Sequence, residues 1–123
     1  MANRFSSAVL ALIEKNKMLG VRSGREHKYT GIWVVVIKRR VFVRSWNDKS
    51  TGWYRAFLEN PFGTIHAGER EIRVRAKKIR AQSLLDAMER AYREKYNTPA
   101  SLKWVKGFGT AKRRAATLEF VLR

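Results

Sequence analysis

The sequence contains no cysteine and only two histidines, His27 and His66. The absence of cysteine excludes a disulfide scaffold, a thiolate metal site, an iron–sulfur cluster and a cysteine nucleophile. Neither histidine has a second one at ligand spacing, and a chain with only ten acidic residues is a poor source of a carboxylate-rich metal centre. We therefore predict no metal site.

Long apolar segments are also missing. The longest strictly apolar run, Ile32 to Ile37, is far shorter than the ~20 residues that a membrane-spanning helix needs. The stretch from Met1 to Ile13 lacks a small-x-small cleavage site and continues into polar residues, so it predicts a helix and not a signal peptide. We expect no membrane association and a cytoplasmic location.

Acidic residues are scarce. Ten Asp and Glu against 27 Lys and Arg give a net charge of +17 and an isoelectric point near 11.2. A field of that sign favours polyanions or small anionic ligands as partners. The length of 123 residues fits one domain, which we place at 1–123, and the 45% hydrophobic content is enough for a core without a disulfide or a metal.

Apolar periodicity predicts an α+β fold. An amphipathic helix is expected around Phe5, Val9, Leu12 and Ile13, a short helix over 53–59 between two hairpins, and a longer helix over 83–96. Five or six mostly antiparallel strands are expected, over residues 19–22, 31–37, 41–46, 64–67, 71–79 and 116–122. The segment 102–114 reads as a basic loop. Short turns between antiparallel strands favour a small barrel, since closure removes exposed sheet edges.

No residue pattern for catalysis is evident. The chain has no Gly-x-Ser-x-Gly elbow and no convincing pair of acid and base carboxylates. The segment 107–112 resembles a phosphate loop but lacks the Gly-Lys-Ser/Thr ending and a preceding buried strand. We predict no catalytic residue, and any chemistry would have to come from a cofactor.

Two short segments have the composition of an anion site. Arg22 and Arg25, with Ser23 and Gly24 between them, offer two guanidinium groups, a hydroxyl and free backbone N–H groups to a phosphate. Around one polar loop further on, arginines and indoles could hold a planar anionic ring; these residues are Arg44, Trp46, Thr51, Trp53 and Arg55. The alternatives are a solvated basic loop and tryptophans that serve the core or a dimer interface.

A third group of cations suggests nucleic acid. Arg73, Arg75 and Lys77 alternate along one strand face, and a C-terminal set lies near Trp104 and Phe108. That set comprises Lys106, Lys112, Arg113 and Arg114. Basic residues interleaved with aromatic residues suit single strands, although a merely solvated charged face would look the same.

Six motifs, taken in order, carry a family resemblance. They are Ile32-Trp33-Val34-Val35-Val36, Val41-Phe42-Val43-Arg44-Ser45-Trp46, Gly52-Trp53-Tyr54-Arg55, Gly63-Thr64-Ile65-His66-Ala67-Gly68, Ala91-Tyr92-Arg93-Glu94-Lys95-Tyr96 and Thr117-Leu118-Glu119-Phe120. Residues 5–123 resemble the family known as domain of unknown function 2255, which is similar to split β-barrel proteins that bind flavin mononucleotide (FMN) or a deazaflavin. In the deazaflavin-binding proteins, one turn holds the cofactor phosphate, and the resemblance implies that residues 21–25 are its counterpart. It also implies that residues 53–61 correspond to the helix that follows the hairpin in those proteins.

Two functional hypotheses follow. The first is a split barrel that binds FMN, a deazaflavin or another phosphorylated ligand, with oxidoreductase activity if a cofactor is retained. The alternative is a basic barrel that binds nucleic acid without enzymatic activity. The resemblance implies a homodimer, and the aromatic residues Trp33, Phe42, Trp46 and Trp53 exceed what one small core readily buries.

Overall fold

Five helices and seven strands are present in the residues that the computed structural model describes, which are 4–47, 49 and 51–123. The helices are α1 Ser7–Lys15, α2 Trp53–Glu59, α3 Gln82–Lys95, α4 Pro99–Gly107 and α5 Ala111–Arg114. The strands are β1 Leu19–Ser23, β2 Thr30–Ile32, β3 Val35–Ile37, β4 Arg40–Arg44, β5 Phe62–Ala67, β6 Arg70–Lys78 and β7 Thr117–Leu122. The predicted α+β class is confirmed.

The strands form one antiparallel sheet in the order β2-β1-β5-β6-β7-β4-β3, curled into a half-barrel. Strand β7 is last in the sequence but lies between β6 and β4, where Phe120 pairs with Ala76 on one side and with Val41 on the other. It therefore joins the two halves of the sheet. The split-barrel prediction is confirmed.

The apolar segment predicted as one strand over 31–37 is two strands at opposite edges of the sheet. The chain leaves the sheet at Val34, whose N–H donates to Tyr96 Oη (3.0 Å) and whose carbonyl accepts from Lys95 Nζ (3.0 Å). Both faces of the segment are apolar because Val34 packs in one core and Val35 in another. The run of β-branched residues hid this break, so the strand count exceeds the predicted one.

The segment 102–114, predicted as a loop, is largely helical. Thr98 begins α4 by accepting a hydrogen bond from the Ser101 N–H, and Thr110 begins α5 in the same way with Arg113. Pro99 occupies the first turn of α4, where its missing N–H costs nothing. The basic residues of this segment are therefore presented from helices.

Two hydrophobic cores lie on the two faces of the sheet. The first fills the half-barrel, where Val9 and Ile13 of α1 and Phe57 of α2 pack against inward-facing strand residues. The second lies outside β3 and β4, where α3 and α4 cover Val35 and Phe42. The outward-facing residues of β6 beyond this second core are exposed.

Candidate ligand cleft

A cleft of about 200 Å³ lies where the end of β1, the loop after it and the start of α2 meet. We call it the ligand cleft; its walls are Val21, Arg22, Ser23, His27, Lys28, Thr30, Thr51, Gly52, Trp53 and Ala56. Two segments that are distant in sequence thus contribute to one depression. Among the predicted cofactor residues, the structure brings together Arg22, Ser23, Thr51 and Trp53.

Arg22 is held in one orientation at the edge of the ligand cleft. Its Nε donates to Thr64 Oγ1 (3.1 Å), its Nη2 lies 3.7 Å from the Glu71 carboxylate, and its Cζ lies 4.6 Å from the centre of the Tyr29 ring. Burial raises the pKa of Tyr29, so this phenol is neutral at physiological pH and leaves the arginine charge uncompensated on that side. The Arg22 side chain is 23% exposed, and two of these partners, Thr64 and Glu71, line the groove beside the ligand cleft.

Ser23 fixes the wall of the ligand cleft and is nearly inaccessible itself. Its Oγ–H lies within donating distance of two carbonyl oxygens near the end of α2, those of Asn60 (2.6 Å) and Ala56 (3.0 Å). On the neighbouring strand, a Cβ added at Gly63 would lie 2.2 Å from the Arg22 carbonyl oxygen, so only glycine allows β5 to approach β1 this closely. Ser23 is therefore better placed to position Arg22 than to bind a ligand.

The opposite wall is formed by the first turn of α2. Trp53 is half-buried and makes edge-to-face contacts with Tyr54 and Phe57, at centroid distances of 6.1 and 6.4 Å. These contacts hold the indole in place while part of it lines the ligand cleft. A rigid, partly exposed aromatic ring beside cations is a suitable surface for a planar ligand.

Three lining residues that could contact an anion were not among the predicted site residues. His27 and Lys28 are exposed members of the loop after β1, and Thr30 begins β2. Their loop was recognised as basic, but only the fold shows which of its side chains reach the cleft. Among the described residues that line the cleft, none is acidic.

Arg44 does not belong to the ligand cleft, contrary to the prediction. Its side chain has no exposed surface; Nε donates to Thr117 Oγ1 (2.9 Å), Nη1 to the Phe108 carbonyl (2.9 Å) and Nη2 to the Leu85 carbonyl (3.3 Å). Nη1 also lies 3.9 Å from the Glu89 carboxylate. Desolvation lowers the pKa of Arg44 to about 10, so it is still charged at neutral pH. Its role is to connect β4 to β7 and the helices.

Trp46 also lies elsewhere. The Arg113 guanidinium stacks on its ring, with Cζ 3.5 Å from the centroid, and donates from Nε to the Trp46 carbonyl (2.8 Å). Trp104 meets the same ring edge to face at 5.0 Å. A Cβ at Gly107 would lie 2.4 Å from the indole. Trp46 therefore packs against α4, and Trp53 alone of the two predicted indoles lines the ligand cleft.

The remaining two predicted cofactor residues lie in other depressions. Arg25 is exposed and lines a groove of about 530 Å³ on the far side of Arg22. Arg55 is exposed on α2 and lines a separate depression with Lys78 and Lys112. The predicted cofactor set is therefore divided over several parts of the molecule.

The residues predicted for nucleic acid also divide into two groups. Arg73, Arg75 and Lys77 are exposed side by side on the outer face of β6, and Lys106 and Lys112 are exposed on the helices. The other two are engaged within the fold: Arg113 packs on Trp46, and Arg114 pairs with Glu89 and Asp86. Phe108, expected to be available for stacking, is only 6% exposed and stacks on Tyr92.

No helix in the described part of the chain is both long and apolar enough to span a bilayer. No group of three histidine or acidic side chains is placed to hold a metal ion within residues 4–47, 49 and 51–123.

Several solved structures resemble this fold at low sequence identity. A conserved hypothetical protein of Mycobacterium tuberculosis matches with a TM-score of 0.63 and 12% identity, over 99% of this chain and 82% of the other. A Listeria innocua protein named "Putative Pyridoxamine 5'-phosphate oxidase" matches with a TM-score of 0.57 and 11% identity, over 92% and 87% of the two chains. An FAD-binding protein of Mesorhizobium loti matches with a TM-score of 0.54 and 10% identity, over 97% and 91%.

These neighbours establish the fold as the split barrel. No curated protein sequence matches the chain. The sequence profile of one family, described as an uncharacterized protein conserved in bacteria, does match, and it covers residues 10–120. The protein therefore belongs to the family known as domain of unknown function 2255.

Proposed function

We propose that this protein binds a phosphorylated flavin-like ligand, FMN or a deazaflavin, in the ligand cleft. The observation that carries the proposal is the convergence of two distant segments, 21–30 and 51–56, on one cationic depression beside an indole. Structural neighbours with flavin or phosphate chemistry in their names, one FAD-binding and one named as a pyridoxamine 5'-phosphate oxidase, support it.

The donors of the ligand cleft suit a phosphate group. Arg22 and Lys28 supply positive charge, and Thr30 and Thr51 supply hydroxyls. No described lining residue is acidic; Glu71, 3.7 Å from Arg22 Nη2, lies in the neighbouring groove. Arg22 is oriented in advance by Thr64 and Tyr29, so binding would cost little side-chain entropy there. The chemistry and rigidity of the cleft therefore fit the phosphate end of the ligand.

The aromatic part of the ligand would extend from this end towards Trp53. The cleft measures about 200 Å³, whereas sites for ligands of this size are typically ~300–1,000 Å³. A cleft of this size has room for the phosphate and only part of the ring system, and a further wall would be needed to bury the rest.

A bound flavin would supply hydride transfer, and the residues of this chain would bind and orient it. The cleft contains no paired carboxylates among the described residues, and its imidazole, His27, is exposed. The proposal therefore concerns ligand binding, and it assigns no catalytic residue.

A second copy of the chain is the partner that we propose to complete the site. The aromatic residues that suggested a dimer are mostly accounted for within one chain, because Phe42 is fully buried and Trp33 stacks on Tyr96 at 4.1 Å. The support for a dimer is instead the small volume of the ligand cleft, about 200 Å³, which one chain leaves partly open. Light scattering should give a particle of twice the 14.3 kDa chain mass. We expect the two chains to bury more than ~1,000 Å² of surface between them. The mass of a single chain at micromolar concentration would contradict a dimer.

The phosphate contacts can be tested by substitution. Replacing Arg22→Gln together with Lys28→Gln should weaken FMN binding by about 3–6 kcal/mol, because each charge-assisted hydrogen bond contributes about 1.5–3 kcal/mol. Fluorescence titration with FMN measures the loss. Riboflavin, which has no phosphate, should bind the wild type more weakly than FMN does. The double substitution should leave the affinity for riboflavin unchanged.

Lys17→Gln with Arg25→Gln is the matched control, since both side chains are exposed and neither lines the ligand cleft. This variant also removes two positive charges, and its affinity for FMN should equal that of the wild type. If both double variants lost the same FMN affinity, the effect would come from the general positive charge of the protein and not from contacts in the ligand cleft. Absence of binding by the wild type to both FMN and a deazaflavin at ~100 µM, weaker than most specific sites, would overturn the proposal.

A further inference from the structure

A strongly basic part of the sheet remains uncovered by helices. Arg22 on β1 pairs across the sheet with Thr64 on β5, and Thr64 pairs with Arg73 on β6. The row continues to Arg123, whose N–H donates to the Arg73 carbonyl (3.3 Å). Strands lie ~4.8 Å apart, so this row crosses roughly 14 Å of sheet with an arginine at each end and another between them.

We define the basic sheet face as this row together with its neighbours. Its members are Arg22, Arg25, Phe62, Thr64, Arg73, Arg75, Lys77 and Arg123. Most of them line the groove of about 530 Å³ beside the ligand cleft, which is larger and more open than the ligand cleft itself. The face shares only Arg22 with the ligand cleft.

The charge of the basic sheet face is largely uncompensated. Glu71 is the acid in the groove, and it lies 3.7 Å from Arg22. Glu119, opposite Lys77, is already bound by both the Nε and Nη2 of Arg40, at 2.9 and 2.8 Å. In the part of the chain that the structure describes, the cations that form no ion pair include Arg25, Arg73, Arg75 and Lys77.

An aromatic ring lies among these cations. Phe62 is 43% exposed, faces Arg75 across the sheet and has the Arg123 guanidinium 4.5 Å from its ring centroid. Phe62 belongs to neither core, since the β5 residues that pack in the first core, Ile65 and Ala67, are on the opposite, inward face. An exposed ring on a sheet surface flanked by cations matches the stacking platforms on which single-stranded bases lie.

We propose that the basic sheet face binds single-stranded nucleic acid, with its cations on the phosphates and a base stacked on Phe62. A second copy of the chain does not suit this face, because two such surfaces would bring like charges together. A duplex would engage the cations but has no unstacked base for the ring. A single strand accounts both for the aromatic ring and for the exposed cations that form no ion pair among the described residues, Arg25, Arg73, Arg75 and Lys77.

The experiment compares two double variants that remove the same charge. Arg73→Gln with Arg75→Gln changes the basic sheet face, whereas Arg90→Gln with Arg93→Gln changes exposed positions on α3. Fluorescence anisotropy with an oligothymidine of ~12 nucleotides, within the usual site size, gives the Kd at several salt concentrations. The first variant should raise the Kd at least about tenfold at ~100 mM salt and lower the salt slope by about 1.4, since each lost phosphate contact removes ~0.7. The second should leave both near the wild-type values.

Phe62→Leu tests stacking while it keeps an apolar side chain in the strand. It should raise the Kd for the oligothymidine about tenfold with an unchanged salt slope, and leave binding to a duplex unchanged. Thermal unfolding confirms that each variant is folded. The proposal would be overturned if the two double variants lost equal affinity for the oligothymidine, or if Phe62→Leu had no effect on the Kd. It would also be overturned if the wild type did not bind at ~100 mM salt and tens of micromolar protein. FMN titration of Arg73→Gln with Arg75→Gln keeps the two proposals apart, since the ligand cleft is intact in that variant.

Discussion

Replacing Arg44 with methionine is expected to lower the free energy of unfolding by about 3–5 kcal/mol, because two buried acceptors at 2.9 Å lose a charged donor and each such hydrogen bond contributes about 1.5–3 kcal/mol. The guanidinium has no exposed surface and donates to Thr117 Oγ1 and to the carbonyls of Phe108 and Leu85. Methionine fills similar space but removes the Arg44 donor from these acceptors in a place that water does not reach. Denaturant unfolding measures the change.

Arg90→Met is the control for Arg44→Met. Arg90 is exposed on α3, so the same substitution there should change stability by less than about 0.5 kcal/mol. Arg44→Lys should also be costly, because one ammonium group cannot reproduce the fork of donors that reaches three acceptors. A stability for Arg44→Met close to that of Arg90→Met would contradict the role of Arg44 as the connection between β4, β7 and the helices.

Replacing Val35 with aspartate is expected to destabilise the protein by about 3 kcal/mol or more, because an unpaired carboxylate would be placed in an apolar core. Val35 is 1% exposed and packs with Phe42 and residues of α3 and α4. Calorimetric or denaturant unfolding gives the change. The uncharged variant Val35→Thr should cost less, about 1–3 kcal/mol for a hydroxyl without a partner. Near-wild-type stability of the aspartate variant would refute the burial of β3.

The general architecture could be predicted from the sequence because it depends on local patterns. The alternation of Arg73 and Arg75 with Val74 placed β6 and its basic face correctly, and the short helix expected over 53–59 coincides with α2. The split of the segment 31–37 could not be predicted in this way. Its two halves differ in which core they face, and that depends on Tyr96 and Lys95, which lie far along the chain.

The candidate sites were predictable to the same limited degree. Arg22 and Trp53 were selected by residue type and do meet at the ligand cleft. Arg44 was selected by the same reasoning, but its depth in the second core follows from the packing of α3 and α4, which residue type does not reveal. The helices over 99–114 were missed because their signal was a pair of threonine caps within a basic, glycine-containing segment. How deeply a side chain is buried thus depends on how the helices and strands pack together, and not on its residue type.

We claim above all that a phosphorylated flavin-like ligand binds in the ligand cleft. The most direct test is to follow the amide and indole NMR shifts of the ¹⁵N-labelled protein during titration with FMN. The predicted result is a saturable set of shifts at Arg22, Lys28, Thr51 and the Trp53 indole N–H, all of them lining the cleft. Inorganic phosphate should reproduce the shifts at Arg22 and Lys28 but not those of the Trp53 indole. Saturable shifts confined to Phe62 and Trp104, which lie outside the cleft, or no shifts at all, would contradict the claim.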